Sequence, residues 1–161
     1  MDNNSGYTYL LKFGDMGVPQ GSSTIKEHCK ILDKYEGNDK YVWWACWKKQ
    51  REKFDKDFYN GFKSALSEKT KSIILYNSYK QIYFSAECSD INFISVAADS
   101  PNPEHTPAYY NKKEYSLWFK LINIKEICGE KLNLFTPEGV KLTNGLLTGD
   151  SNKTIWIVKN F

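Results

Sequence analysis

The sequence predicts an α+β fold with a curved, mostly antiparallel, barrel-like sheet and two main flanking helices. Two strand patterns, over residues 7–13 and 41–47, alternate with two helix patterns, and from residue 71 the apolar period changes to two. A run of strands after a β-α-β-α start is typical of α+β folds. We expect one domain over residues 1–161, because a chain of 161 residues can bury one core of ordinary size.

The first strand and the first helix are predicted from local signals. Residues 7–13 are mostly aromatic and aliphatic, and Gly14-Asp15 ends this strand. Thr24 and Glu27 have the spacing of a capping box, which predicts a helix start, and Gly37 is suited to end the helix. The residues at helical spacing along it are Ile25, Cys29, Leu32 and Glu36.

The second strand pattern, residues 41–47, holds three of the five tryptophans. Successive side chains of a strand point to opposite faces. The two resulting sets are Val42, Trp44 and Cys46 on one face and Trp43, Ala45 and Trp47 on the other. A basic run, Lys48 to Lys53, follows directly. Large rings beside cations suit stacking on a nucleobase while the cations hold phosphate. Packing of all three rings in the core is the alternative.

The remaining elements follow from apolar spacing. A second helix is predicted over residues 53–68, where an apolar stripe for the core consists of Phe54, Phe58, Phe62, Ala65 and Leu66. Strands are predicted where aromatic and β-branched residues concentrate, over residues 72–76, 81–86, 115–121 and 154–158. The segment 97–114 contains three prolines and the pair Tyr109-Tyr110. Irregular segments of this length in a compact domain are either functional or disordered.

Composition limits the classes of function. The aromatic content of 16% exceeds what a core of this size needs, whereas the net charge of +3 is too small to indicate nucleic acid by itself. No apolar run is long enough to span a membrane, and the amino terminus lacks the apolar stretch of a signal peptide. Four widely spaced cysteines predict reduced thiols in a cytoplasmic protein, with no metal site. No cofactor is expected.

Short motifs along the chain match one known family in the same order. Tyr9-Leu10-Leu11-Lys12 is similar to its opening strand, F-x-I-K-S, with Phe13 in place of the serine, and the tryptophan strand is similar to I-W-C-S. Residues 53–68 are similar to the family segment N-K-x-L-x-x-A-F, and residues 73–78 with 82–86 are similar to the hairpin L-L-F-S-V-N…F-x-G-x-A. Further along, residues 117–121 are similar to W-I-F-V and residues 140–144 to P-V-T-N. The chain therefore resembles the YTH and EVE branch of the PUA-like superfamily.

This resemblance implies a module that binds DNA or RNA by taking a flipped-out modified base, such as N6-methyladenine or 5-methylcytosine, into an aromatic pocket. In bacteria such domains often form the sensing part of modification-dependent restriction or other defence proteins. The expected partner is thus a nucleic acid carrying a modified base. A fused or associated effector domain is a further expected partner, in which case the chain is the sensing domain of a longer protein.

The resemblance also implies roles for individual residues. One alignment with the family strand makes Trp43 the wall of the base pocket, and another makes it Trp44. We prefer Trp43, with Trp47 nearby on the same face of the strand, and we expect Trp44 to lie in the core. Asp15 follows the first strand, where related loops contact the base edge, although it also suits a Gly-Asp turn. The remaining candidates are Tyr109, Tyr110 and Asn77 for the base, and Lys12, Lys48, Lys49 and Arg51 for phosphate, with ordinary solvated surface as the alternative for these cations.

Two departures from the family pattern leave the base modification open. The family's second pocket tryptophan has no counterpart, so Tyr109 and Tyr110 are expected to replace it, and the Gly-rich hairpin turn is missing. Two other functions remain as alternatives: a sensor of a free nucleotide or similar small molecule, and an enzyme of the related ASCH type with His105 as acid or base. We predict a binding module, because neither His28 nor His105 lies in a nucleophile or metal motif.

Overall fold

A computed structural model describes residues 6–46, 53–110, 115–149 and 153–161, and the predicted α+β class is confirmed. In chain order the elements are β1 (Thr8–Phe13), α1 (Thr24–Lys34), β2 (Val42–Cys46), α2 (Lys56–Leu66), β3 (Lys71–Asn77), β4 (Ile82–Ala98), β5 (Tyr115–Ile127), β6 (Leu134–Phe135), α3 (Asn144–Gly149) and β7 (Ile155–Asn160). None of these helices has both the length and the apolar character needed to cross a bilayer.

The strands form one seven-stranded sheet in the order β2-β5-β4-β3-β1-β7-β6. The pair β1–β3 is parallel and the other strand pairs are antiparallel, which confirms the mostly antiparallel prediction. The long strand β4 forms a hairpin with β3 and then continues along β5, where its register shifts between Glu87 and Asp90. Irregularities of this kind bend a strand and increase its twist.

The sheet curls far enough to bring β1 close to β2. In a flat sheet these strands would lie four strand spacings, or about 19 Å, apart. The rings of Phe13 in β1 and Trp44 in β2 are nevertheless in contact, with centroids 5.1 Å apart. Tyr9 likewise reaches Phe119 of β5, at 5.4 Å. Among the described residues no ladder joins β2 to β6, so the barrel-like sheet remains open.

The concave face of the curled sheet holds the main core. Alternation along β2 places Val42, Trp44 and Cys46 in this core, as predicted. Tyr9 and Leu11 of β1 lie in the same core. Helices α1 and α2 cover it with buried side chains, which include Leu32, Phe58 and Phe62.

The opposite face carries two separate clusters. One lies beside α3 and β6 and includes Leu10, Tyr76 and Trp156. The other is built on β2 and β5, and its members are Trp43, Ala45, Tyr110, Tyr115 and Trp118. Tyr110 belongs to a short 3₁₀ turn, Ala108–Tyr110, that packs against this second cluster. Both faces of the tryptophan strand are therefore covered, which explains its apolar residues at every position.

The predicted start of α1 is wrong by one residue. Ser23 is the cap residue, and its Oγ accepts a hydrogen bond from the Lys26 N–H at 3.2 Å. Glu27 instead accepts bonds from Ser22 and Lys30. The buried positions are Thr24, His28 and Leu32, so the inward face is turned away from the predicted one at Ile25, Cys29 and Glu36. The helix ends at Lys34, ahead of Gly37, which opens a 3₁₀ turn at φ 60°.

The other differences concern weakly patterned segments. Strand β4 continues to Ala98, well beyond the predicted end at residue 86. The described part of the segment 97–114 holds two 3₁₀ turns, Pro103–His105 and Ala108–Tyr110, rather than an irregular loop throughout. The short elements β6 and α3 were not predicted, because two and six residues are too few to establish a period.

Candidate functional site

An aromatic cavity lies where the curled sheet brings the end of β1 to β2. We call this cavity of about 190 Å³ the slot. Its aromatic lining comes from β1, β2, β5 and the 3₁₀ turn at residues 108–110 and consists of Phe13, Trp44, Tyr109, Tyr110 and Tyr115. The aromatic lining thus comes from three regions of the chain that are distant in sequence, around residues 13, 44 and 109–115.

Trp44 is held in place by ring contacts on two sides. Its indole is 2% exposed, meets the Phe13 ring edge to face, and lies 4.3 Å from the His28 imidazole at an interplanar angle of 35°. His28 Nδ1 lies 2.7 Å from the Thr24 carbonyl oxygen. Because a carbonyl oxygen only accepts, Nδ1 carries the proton. Burial lowers the pKa of His28 to about 4, so the imidazole beside Trp44 is neutral at physiological pH.

The tyrosines of the slot are also neutral. Burial raises the pKa of Tyr115 to about 12 and raises the pKa values of Tyr109 and Tyr110 as well. The Tyr109 and Tyr110 rings contact each other with centroids 4.4 Å apart, and both also contact the His28 ring. The rings that border the slot are therefore uncharged, which suits a neutral heteroaromatic ring better than an anion.

The slot continues into a wider cavity of about 420 Å³, which we call the outer groove. Both cavities are lined by Lys12, Phe13, Gly14, Met16 and Thr154. The outer groove adds the hairpin residues Ser78 and Tyr79 together with Thr148 of α3. Because they share these five lining residues, slot and groove are adjoining parts of one depression.

The predicted base-edge residue, Asp15, is bonded within the protein. Its Oδ1 accepts from the Thr24 N–H at 2.9 Å, and its Oδ2 accepts from Asn77 Nδ2 at 3.2 Å and lies 3.3 Å from Lys80 Nζ. Burial of this carboxyl would raise its pKa, but the bonds from Thr24, Lys80 and Asn77 outweigh burial and lower it. Asp15 therefore connects the start of α1 to the β3–β4 turn. This favours its interpretation as a turn residue over its interpretation as a base-edge contact.

Asn77 has a similar position in the turn. It is 4% exposed, and its Oδ1 accepts from the backbone N–H groups of Tyr79 and Lys80 at 3.1 Å each. These bonds are those of an Asx turn, which shapes the hairpin tip. Asn77 does not line the slot in the part of the chain that the structure describes.

Of the predicted phosphate-binding residues, Lys12 is described. Its side chain lines both cavities, and its Nζ donates to the Leu147 carbonyl oxygen at 2.8 Å. Lys48, Lys49 and Arg51 lie outside the described residues, as does the pocket candidate Trp47. They follow β2 directly in sequence.

The sequence favoured Trp43 as the pocket wall and Trp44 as a core residue, and the structure places them differently. Trp44 lines the slot while also packing in the core, whereas Trp43 does not line the slot. Trp43 is 7% exposed on the opposite face of β2, with Ala45 and Trp118. The expectation that Trp43 lines the cavity is therefore not met by the geometry, although its cluster partners Ala45, Tyr110 and Tyr115 do line it.

Neither histidine lies in an arrangement typical of catalysis. His28 is fully buried against Trp44, and His105 is stacked between the rings of Tyr35 and Tyr41, with centroids 3.9 Å away on each side. His105 does not line either cavity as described. Within the described ranges, no group of three or more His, Cys, Asp and Glu residues is placed to hold a metal ion.

A separate cavity of about 420 Å³ is lined in part by Tyr9 and Phe54 and has a different character. It is bordered by Lys53 and Lys153 together with Asp55 and Glu138. Its mixed charges and fewer rings make it a weaker candidate for a base than the slot.

Sequence reasoning missed several lining residues. From sequence, Phe13 is a substitution in a strand motif and Tyr79 has no assigned role, although both line the cavities. His28 lies outside any nucleophile or metal motif, and the structure places it behind the slot against Trp44, Tyr109 and Tyr110. A signal was present for His28, which lies four residues after Thr24 and four before Leu32, on one helix face. No comparable signal exists for Tyr115 or Thr154, because their approach to β1 and β2 depends on how the sheet curls.

Comparison with known proteins gives one match. A family model described as Pua-like matches residues 9–138, which include β1 from its second residue, strands β2 to β6 and both long helices. The search of curated proteins found no match, and neither did the search of solved structures.

Proposed function

The chain belongs to the Pua-like family, and from this premise we propose that its slot binds a base turned out of a nucleic-acid strand. The family assignment indicates a nucleic-acid-binding module rather than an enzyme. The observation that carries the finer proposal is the slot itself, a cavity with an aromatic wall of Phe13, Trp44 and three tyrosines.

The size of the slot supports a single ring system as its occupant. Pockets that enclose drug-sized ligands measure roughly 300–1,000 Å³, whereas the slot measures about 190 Å³. The neutral His28 and tyrosines leave its aromatic wall uncharged. A phosphate or sugar would then remain outside, at the mouth of the slot near Lys12.

The energetics favour a single-stranded or weakly paired target. Turning a base out of a duplex costs a few kcal/mol, and stacking on an aromatic ring returns roughly 1–3 kcal/mol per base. A buried methyl group adds only about 0.8 kcal/mol. We therefore propose a modest preference for a methylated base, such as N6-methyladenine or 5-methylcytosine, with most of the affinity coming from stacking and phosphate contacts.

The wider role that we propose is sensing of modified nucleic acid in a restriction or other defence system. Its support is the resemblance to the YTH and EVE branch together with the Pua-like match. A free-nucleotide sensor is the second candidate function, because the slot alone suffices for a base. Binding that strengthens with strand length would exclude this second candidate.

The test compares Trp44 with a tryptophan buried elsewhere in the domain. Trp44→Phe reduces the wall of the slot, so it should weaken binding of a methylated oligonucleotide about fivefold to tenfold, equivalent to roughly 1 kcal/mol of lost stacking. Trp156→Phe is the matched control, because Trp156 is also buried but belongs to a cluster that does not line the slot, and it should leave the affinity within about twofold. Both affinities are measured by titration with DNA and RNA that carry N6-methyladenine, 5-methylcytosine or no modification.

Thermal melting of both variants separates loss of contact from loss of fold. Equal affinities of the two folded variants would remove the slot as the base site. Release of a chemically altered base or nucleoside during incubation with the protein would instead support the ASCH-type enzyme.

A further inference from the structure

An exposed aromatic ring stands beside the outer groove. Tyr79, at the tip of the β3–β4 hairpin, is 73% exposed, unlike the rings of the slot. Large aromatic side chains are mostly buried in folded proteins, so a ring that is exposed at the mouth of a cavity indicates a binding surface. Met16, also lining the groove, is 76% exposed.

Although exposed, the Tyr79 ring packs on one side against the loop that follows β1. It lies directly on Gly14, since a Cβ atom added to Gly14 would come within 2.5 Å of the Tyr79 ring carbon Cε2. Its hydroxyl lies 3.9 Å from Met16 Sδ, and its backbone N–H donates to Asn77 Oδ1. A ring that is partly restricted before binding loses less conformational entropy when a ligand stacks on it.

The groove beside Tyr79 is continuous with the slot. Five residues line both cavities, and Gly14, on which the ring lies, is one of them. A nucleotide next to a base in the slot would therefore pass through the outer groove. The groove is also bordered by the hydroxyl-bearing residues Ser78 and Thr148, whose hydroxyls bond to the Phe13 carbonyl oxygen and the Tyr76 hydroxyl within the protein.

We propose that Tyr79 is a stacking platform for the base adjacent to the one in the slot, so that the domain reads two consecutive nucleotides of a single strand. This inference rests on the proposed function of the slot and adds a second contact to it. A stacked base contributes irrespective of its identity, because every base has a π face. The groove thus provides affinity and strand polarity, whereas the slot provides the preference for modification.

The experiment combines a protein variant with a changed strand. The wild type and Tyr79→Ala are titrated with an oligonucleotide that carries one methylated base, and with versions that have an abasic site on its 5′ or its 3′ side. With the intact strand, Tyr79→Ala should bind about tenfold more weakly. When the abasic site is on the side that faces Tyr79, the wild type should bind about tenfold more weakly than it binds the intact strand. The affinity of Tyr79→Ala should be the same for this abasic strand as for the intact strand.

Three controls complete the design. Tyr79→Phe keeps the ring and should bind as the wild type does. Phe161→Ala removes a ring that is 68% exposed beyond the opposite end of β1, about 20 Å away, and should not change binding. The methylated nucleoside monophosphate, which fills only the slot, should bind wild type and Tyr79→Ala equally.

The outcomes separate the two proposals. If Trp44→Phe weakens binding but Tyr79→Ala does not, the platform is wrong and the slot stands. If Tyr79→Ala weakens binding equally with intact and abasic strands, no flanking base stacks on the ring and the platform is again wrong. If the wild type binds neither oligonucleotide nor nucleotide, the proposed function of the slot fails first. Binding of an apolar peptide in the groove, without oligonucleotide binding, would also overturn both.

Discussion

His28 shows how one buried side chain sets the properties of the slot. Its imidazole lies against Trp44 and contacts both Tyr109 and Tyr110. Its Nε2 is buried without a hydrogen-bond partner among the described residues. A charged imidazole here would have to lose its hydration, and burial is the largest cause of its low pKa. The neutral ring acts as an aromatic support for Trp44.

We predict that His28 makes the stability of the domain sensitive to mild acid. Its pKa is about 4 in the folded protein against 6.5 for an unperturbed histidine. Unfolding then takes up a proton below pH 6.5, so this contribution to stability is complete above that pH and is lost as pH falls toward 4. The free energy of unfolding should be about 2 kcal/mol lower at pH 5 than at pH 8, as measured by urea denaturation.

His28→Asn is the control for this prediction. The asparagine Nδ2 can replace His28 Nδ1 as donor to the Thr24 carbonyl oxygen, and asparagine does not titrate. The variant should be less stable at every pH because it leaves a cavity beside Trp44, but most of the difference between pH 8 and pH 5 should disappear. An unchanged pH difference would assign the acid sensitivity to other groups.

At the scale of elements, Asp15 connects three parts of the fold at the mouth of the site. Its carboxylate joins the loop after β1 to the start of α1 through Thr24 and to the β3–β4 turn through Asn77. The same turn carries Tyr79, whose ring lies on Gly14. This carboxylate therefore adds to the β1–β3 ladder and to the bond from the Ser78 N–H to the Phe13 carbonyl oxygen in fixing the hairpin beside the slot.

We predict that Asp15→Ala destabilises the domain by about 1–3 kcal/mol, because it leaves the Thr24 N–H and the Asn77 amide without their acceptor. Lys80→Ala removes only a partly exposed ion pair and should cost less than about 1 kcal/mol. In binding assays Asp15→Ala should weaken methylated and unmethylated strands by the same factor. A changed ratio between the two would instead assign Asp15 to reading of the base edge.

At the scale of the whole molecule, the open curled sheet determines where a ligand can enter. Strands β1 and β2 approach each other without forming a ladder in the described part of the chain, and α1 packs between them through His28 and Thr24. The slot occupies this junction. The basic run follows β2 directly in sequence, and β2 lines the slot through Trp44.

We predict that this run provides the salt-dependent part of binding. Replacement of Lys48, Lys49 and Arg51 together by Gln should weaken modified and unmodified strands equally and should flatten the plot of log affinity against log salt by roughly 0.7 for each lost phosphate contact. The same replacement at Lys34, Lys40 and Lys131, three exposed lysines elsewhere, removes equal charge and should change the slope little. Equal slopes for both triple variants would favour the free-nucleotide sensor.

Local pattern was sufficient for much of the secondary structure. The predicted strand at 7–13 and the helix at 53–68 correspond to β1 and α2, and alternation correctly separated Trp43 from Trp44. These features depend on the period of apolar residues within about ten positions, which is visible in any linear sequence. Helix α1 was placed less well, because Thr24 and His28 are polar residues on its buried face.

The sequence by itself thus determined the fold class, the family resemblance and the two faces of the tryptophan strand. Only the tertiary structure decided that Trp44, rather than Trp43, lines the slot, and that Phe13, His28 and Tyr79 belong to its surroundings. The physical reason is that Phe13 meets Trp44 across a sheet in which three strands separate them. That contact arises from the accumulated bend of the whole sheet, which no single segment encodes.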